Sequence, residues 1–114
     1  MLQINRFSDQ VTLIDFSDNV KKLNVVIADK IKSELNELID NGCNNIIIDF
    51  SKIIFIDSSG FGALVTVYNH AKNVGSKLML ANIAAETMEL VKITKLDQVF
   101  DIYNSVEEAK NTII

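Results

Sequence analysis

Proline and tryptophan are absent from the 114-residue chain, and cysteine and histidine occur once each, as Cys43 and His70. Each shortage narrows what the chain does. With no proline, low-complexity tract or internal repeat, nothing marks a linker, and residues 1–114 are read as one domain. A lone cysteine excludes an internal disulfide and a multi-cysteine zinc site, and it fits a reducing compartment. A lone histidine limits metal and general-base chemistry. There is no Gly-x-Gly-x-x-Gly and no phosphate loop ending in Lys-Ser/Thr, so no cofactor is expected. No apolar run approaches ~18 residues and no apolar h-region follows Met1; neither membrane insertion nor a signal peptide is expected, and the location expected is cytoplasmic. Basic charge is short as well. Eleven basic against fifteen acidic residues give a net charge of −4, and the ten lysines and Arg6 are scattered. Nucleic-acid domains carry the opposite balance to neutralise phosphates, so nucleic acid is not an expected partner.

What the chain has is aliphatic surface. Hydrophobic residues make up 48% of it, and sixteen isoleucines outnumber six phenylalanines and two tyrosines. That is enough apolar area to offset the entropy of ordering one core, and too little for two.

The pattern alternates between strand and helix. Leu2 to Phe7 alternates apolar and polar, Ser8-Asp9-Gln10 is turn-like, and Val11 to Phe16 gives a second strand to complete a hairpin closed by Ser17-Asp18-Asn19. From about Asn24, Ile27, Ile31, Leu35, Leu38 and Ile39 recur at helical spacing, with Gly42 as a left-handed stop. Ile46 to Phe50 is a β-branched run without a polar face, expected as a central strand. A helix over Ser58–Val74 places Phe61, Leu64, Val65, Tyr68 and Ala71 on one stripe. Lys77 to Leu80 is a strand, Ala84 to Thr94 a helix burying Met88 and Val91, and Val99 to Tyr103 a last strand. Ser105-Val106-Glu107-Glu108 is a capping box that opens a final helix to about Ile113. The order β-β-α-β-α-β-α-β-α implies an α/β domain with a mixed, mostly parallel sheet and an opening hairpin.

The most informative stretch is Ile53-Ile54-Phe55-Ile56-Asp57-Ser58-Ser59-Gly60-Phe61-Gly62, where an apolar run meets a polar knot and a helix leaves at once. Asp57 and Ser58 are both good N-caps, and by themselves an Asp-Ser pair at a helix start reads as a cap. Gly60 and Gly62 lower helix propensity, so a packing or access reason is needed for them; glycine lets another surface approach the backbone. A hydrolase elbow does not fit. Gly-x-Ser-x-Gly requires glycine two residues before the serine, where Ser58 has Ile56 and Ser59 has Asp57.

From about Asn44 to Thr112 the chain resembles the STAS domain, in particular the bacterial anti-sigma-factor antagonists. The likeness rests on Ile46-Ile47-Ile48-Asp49-Phe50-Ser51, on Ile54 to Leu64 with Asp57-Ser58-Ser59-Gly60 at its centre, on Ala71 to Leu78, on Leu96-Asp97-Gln98-Val99-Phe100, and on Tyr103 to Ala109. Before Asn44 only the strand-strand-helix order matches. Ser17 to Asn24 stands where members often carry a Gly-x-Leu-Asp-like turn, close to the phosphosite of the family.

The resemblance implies a non-enzymatic switch protein. Its first motif serine, Ser58, would be the phosphorylation target of an ATP-binding serine kinase that is also an anti-sigma factor, and a serine phosphatase would reverse the modification. The unmodified antagonist holds the kinase and frees a sigma factor. A phosphoserine carries about −1.5 to −2 charges; a helix N-terminus tolerates it, whereas a docking surface must desolvate it. Asp57, Ser58, Ser59, Gly60 and Gly62 are the expected partner-binding residues. The alternative keeps the fold with Ser58 as a cap only, in a STAS subunit docked on a membrane transport ATPase or a larger signalling assembly. A small enzyme or ligand-binding module of flavodoxin-like form is a third reading, and it lacks a catalytic set.

Overall fold

The computed structural model describes residues 2–6 and 10–113. Among these residues, seven strands and four α-helices run in the order β1 (Leu2–Arg6), β2 (Thr12–Phe16), β3 (Lys22–Leu23), α1 (Val25–Asp40), β4 (Asn45–Asp49), β5 (Phe55–Ile56), α2 (Ser58–Asn73), β6 (Lys77–Ala81), α3 (Ala85–Ile93), β7 (Asp101–Tyr103) and α4 (Val106–Asn111), with a 3-10 turn at Leu96–Gln98. The main sheet has the order β1-β2-β4-β6-β7. Only β1 runs antiparallel to its neighbour, Ile4 opposite Ile14; the other three pairings are parallel, with Ile14 beside Ile48 and Ile48 beside Leu80. The mixed, mostly parallel sheet with an opening hairpin is therefore the observed fold. The expected extension of the first strand to Phe7 and the turn at Ser8–Asp9 lie outside the described residues.

Period-two alternation sends Ile14, Phe16, Ile46, Ile48, Leu78 and Leu80 to one face, where they meet Ile31, Leu35, Leu64 and Val67 in the larger core cluster. Phe16 and Phe50 pack with ring centroids 5.5 Å apart. Ile47, Met79 and Ala81 point to the other face and are covered by Ala109 of α4. Ile46, Ile47 and Ile48 are all fully buried. A strand covered on both faces has no use for a polar side, which explains its unbroken apolar run.

The helices settle somewhat differently from the pattern. In α1 the buried line is Ala28, Ile31, Leu35 and Ile39, with Ile27 and Leu38 partly buried beside it. In α2 it is Gly60, Ala63, Leu64, Val67 and Ala71, while Phe61, Val65 and Tyr68 are only partly buried. The large side chains occupy the margin because α2 must lie against both the sheet and α1, and small residues allow the closer approach. Thr87 and Val91 are the buried residues of α3, and Met88 is half-buried. Gly42, at φ +99°, follows α1 as the expected left-handed stop. The last strand begins at Asp101, two residues later than the pattern predicts, because the 3-10 turn takes up the chain before it.

Candidate functional site

Two strands too short to show periodicity build the floor of the site. β3 and β5 pair in parallel as a separate small sheet, Lys22 beside Phe55 and Leu23 beside Ile56. Ile54 N–H donates to the Lys21 carbonyl at 2.8 Å and Asp57 N–H to the Leu23 carbonyl at 3.1 Å. Leu23 and Ile56 face inward and are buried; Lys22 and Phe55 face out. The segment that departs from the family pattern is thereby stitched along the edge of the motif itself.

Asp57 is the N-cap of α2. Its Oδ1 accepts from Gly60 N–H at 2.9 Å, and its backbone carbonyl accepts from Phe61 N–H at 3.0 Å. The other carboxylate oxygen, Oδ2, accepts from Val25 N–H at 3.3 Å, the first residue of α1. Asn24 is the cap of α1 in its own right, with Oδ1 accepting from Val26 N–H at 3.1 Å. One aspartate thus takes orphan amides from the starts of two helices, which ordinarily need an acceptor each.

Because Asp57 makes the cap, Ser58 falls one position inside, as the first residue of the 16-residue helix α2. It is exposed, and its hydroxyl lies outside the capping bonds. Ser59 is half-buried and lines an open groove of about 380 Å³ between α1 and α2 with Val25, Gly62 and Thr66.

The two glycines, treated alike in the sequence, part company. A Cβ on Gly60 would stand 2.4 Å from the Leu23 carbonyl oxygen and 2.9 Å from Ile56 Cγ2. The surface that approaches Gly60 is the protein's own β3, and Gly60 is buried beneath it. Gly62 is exposed, and a Cβ there would meet nothing within 4 Å.

Around Ser58 the flanking segments leave large apolar side chains in solvent: Val25 is 69% exposed, Val26 82%, Ile54 60% and Phe55 45%. These four were not anticipated. The available signal was the apolar run Ile53–Ile56, too long for a two-residue strand: Ile53 is buried from the turn before β5 and Ile56 from β5 itself, which leaves the two between without an internal reason. Isolated exposed aliphatics need no explanation, whereas these four stand on two segments that Asp57 and the β3–β5 pairing bring together.

Charge organises the neighbouring loop. Lys52 Nζ lies 2.8 Å from Asp18 Oδ1 and 3.7 Å from Asp15 Oδ2, clipping the loop after β2 to the turn after β4. The hydrogen bond and charge of Lys52 hold the Asp18 carboxyl below its ordinary value, and the bond to Asp18 raises Lys52 in turn. Asp49 Oδ1 accepts from Ser51 N–H and from Asn82 Nδ2, both at 3.0 Å, so it secures this turn.

His70 Nε2 sits 2.7 Å from Asp40 Oδ1, and its place on α2 is twelve residues, about 18 Å of helix, from Ser58. Among the described residues no three of His, Cys, Asp and Glu are grouped as metal ligands would be. No helix among them is long and apolar enough to cross a membrane.

The family described as the STAS domain matches residues 9–109. The chain belongs to the STAS domain family. A protein of Thermotoga neapolitana provisionally named an anti-sigma factor antagonist is 29% identical over 90 residues, covering 78% of this chain and 80% of that protein. The crystal structure of a Thermotoga maritima protein of the same provisional name superposes with a TM-score of 0.85 at 23% identity, over 97% of this chain and 92% of that one. SpoIIAA, a cell-fate determinant of Bacillus solved in its phosphorylated form, superposes with a TM-score of 0.72 at 19% identity, over the whole of both chains. At these identities the two structures establish the shared STAS fold.

Proposed function

We propose that the protein is an anti-sigma-factor antagonist that works by partner switching, with Ser58 as its phosphoacceptor. The observation that carries this reading is the division of labour at the start of α2: Asp57 caps the helix, and Ser58 stands exposed beside it within a rim of exposed Val25, Val26, Ile54 and Phe55. A serine that served only as a cap would occupy the N-cap position. The naming of the Thermotoga relatives supports the general role.

The unmodified face binds an ATP-binding serine kinase that is also an anti-sigma factor. Ser58, Ser59, Gly62 and the apolar rim form the contact, and Asp57 and Gly60 hold it in shape. Phosphorylation adds about −1.5 to −2 charges. At the N-terminus of α2 those charges are tolerated by the chain itself, through the helix dipole and the first-turn amides. In the docked state they would have to shed water beside the Asp57 carboxylate. A loss of ~3 kcal/mol there lowers affinity about 100-fold and releases the partner. A serine phosphatase restores the binding form. The chain needs no cofactor for this and catalyses nothing itself.

The test uses wild-type, Ser58→Ala and Ser58→Asp proteins as baits in lysate of the source cell, with captured partners identified by mass spectrometry and their affinities then measured. A kinase-like ATPase held by the first two and bound about 100-fold more weakly by Ser58→Asp is the expected result. Equal retention by all three baits of a membrane-transport subunit or a scaffold would overturn the switch.

A further inference from the structure

The contact face is made from two stretches of chain that are remote in sequence, and a single carboxylate joins them. Asp57 Oδ1 holds the Gly60 amide of α2 and Oδ2 holds the Val25 amide of α1, 32 residues away. Around that joint the Asp57 amide bonds to the Leu23 carbonyl, and Gly60 lets the same carbonyl approach to within van der Waals range of α2. Val25, Ser59 and Gly62 line one groove as a result.

We propose that Asp57 is the positioning residue of this face: it sets the first turn of α1, with Val25 and Val26, against the Ser58 end of α2, and it transmits charge placed on Ser58 to that turn. The proposal deepens the phosphoswitch reading and rests on it for its use in the cell, while the linkage itself belongs to the chain alone. The mechanism is electrostatic. An anion on Ser58 repels the adjacent carboxylate and competes with it for the amides at the start of α2. An ordinary cap would confine that disturbance to α2. Here the same carboxylate holds Val25, so any displacement of Asp57 is felt at the start of α1, where the most exposed apolar residues of the rim stand. Phosphorylation would then alter the shape of the docking face as well as its charge.

The nature of the side chain separates this role from plain capping. Serine is as good an N-cap as aspartate, so Asp57→Ser retains an acceptor for Gly60, but it has one oxygen on a shorter stem and leaves Val25 without its partner. Amide hydrogen exchange followed by NMR on the full chain compares wild type with Asp57→Ser and Asp57→Asn. The expected result is unchanged protection at Gly60 and roughly tenfold faster exchange at Val25 in Asp57→Ser, the scale of losing one charge-assisted hydrogen bond. Equal protection of Val25 in wild type and Asp57→Ser would show an ordinary cap and overturn the proposal. The second readout is the amide shift that Ser58→Asp produces at Val25 and Val26. With Asp57 present it is measurable; in the Asp57→Ser background it falls to less than half. A shift of the same size in both backgrounds would mean that the charge acts directly through space, and would equally overturn the proposal. Both readings are made without a partner, so failure to capture a kinase from lysate would remove the switch and leave them standing.

Discussion

Two of the described helices carry a serine at their start, and the two serines have opposite fates. Ser105 is itself the N-cap of α4, its Oγ accepting from Glu108 N–H at 3.1 Å. Ser58 comes one residue after the cap of α2, and Asp57 has already taken the amide that a serine cap would hold. A one-residue offset relative to the cap thus separates a hydroxyl engaged in holding a helix from one presented to solvent. Residue type and helix start are the same in both places. What differs is the neighbour: an aspartate anchored to Leu23 and Val25 holds the N-cap position before Ser58, whereas Asn104 before Ser105 leaves that position to the serine.

The contrast can be broken most severely through the glycine that lets Asp57 and Leu23 meet. Gly60→Ala forces a methyl into the Leu23 carbonyl, and a loss of about 3 kcal/mol is expected from the overpacked backbone contact, read by urea unfolding. Gly62→Ala is the control two residues on. With open space around it, the same change should stabilise by about 0.5–1 kcal/mol through helix propensity. Loss of stability at Gly62 comparable to that at Gly60 would refute the separation of the two glycines.

The serines themselves give the next largest effect. Ser105→Ala should cost about 1 kcal/mol as a lost cap. Ser58→Ala should stay within about 0.5 kcal/mol of wild type, as an exposed residue outside the capping bonds. Similar losses at both positions would return Ser58 to the role of a cap.

The smallest effect is at the Lys52–Asp18 clip, which is exposed and screened by salt. Asp18 is held below its ordinary value of 3.8 in the folded chain. Its contribution is therefore complete above that value and lost as pH falls through the lowered one. Lys52 is raised above 10.5, so its share is complete below 10.5 and lost as pH rises through the raised value. Lys52→Met should lower stability slightly across the neutral range, where both contributions are complete, and leave the two extremes, where they are already lost, almost unchanged. A large loss at neutral pH would show that the clip does more than steady the loop.

Much of the fold was legible because it depends on local pattern. The run Ile46–Ile48 announced a central strand, the spacing Ile31-Leu35-Ile39 announced α1, and Gly42 marked its end. The start of α2 at the Asp57-Ser58 pair was legible too, through capping chemistry. The floor beneath it was not. β3 and β5 have two residues each, too few for any period to emerge, and each exists only because the other lies beside it. Nor could spacing distinguish Gly60 from Gly62, since the atom that separates them belongs to Leu23, far away in the chain.

By itself the sequence determined the strands of the main sheet, the four helices and the position of the Asp57-Ser58-Ser59-Gly60 knot at a helix start, because hydrophobic period and capping chemistry act between residues a few positions apart. Only the tertiary structure decided that Asp57, the cap of α2, also takes an amide from the start of α1, that Gly60 is spent on an internal contact, and that Val25, Val26, Ile54 and Phe55 stay exposed on the segments flanking the serine. Those outcomes depend on which remote backbone atoms are brought within hydrogen-bonding or van der Waals distance, and that is settled when α1 and α2 pack side by side on the sheet.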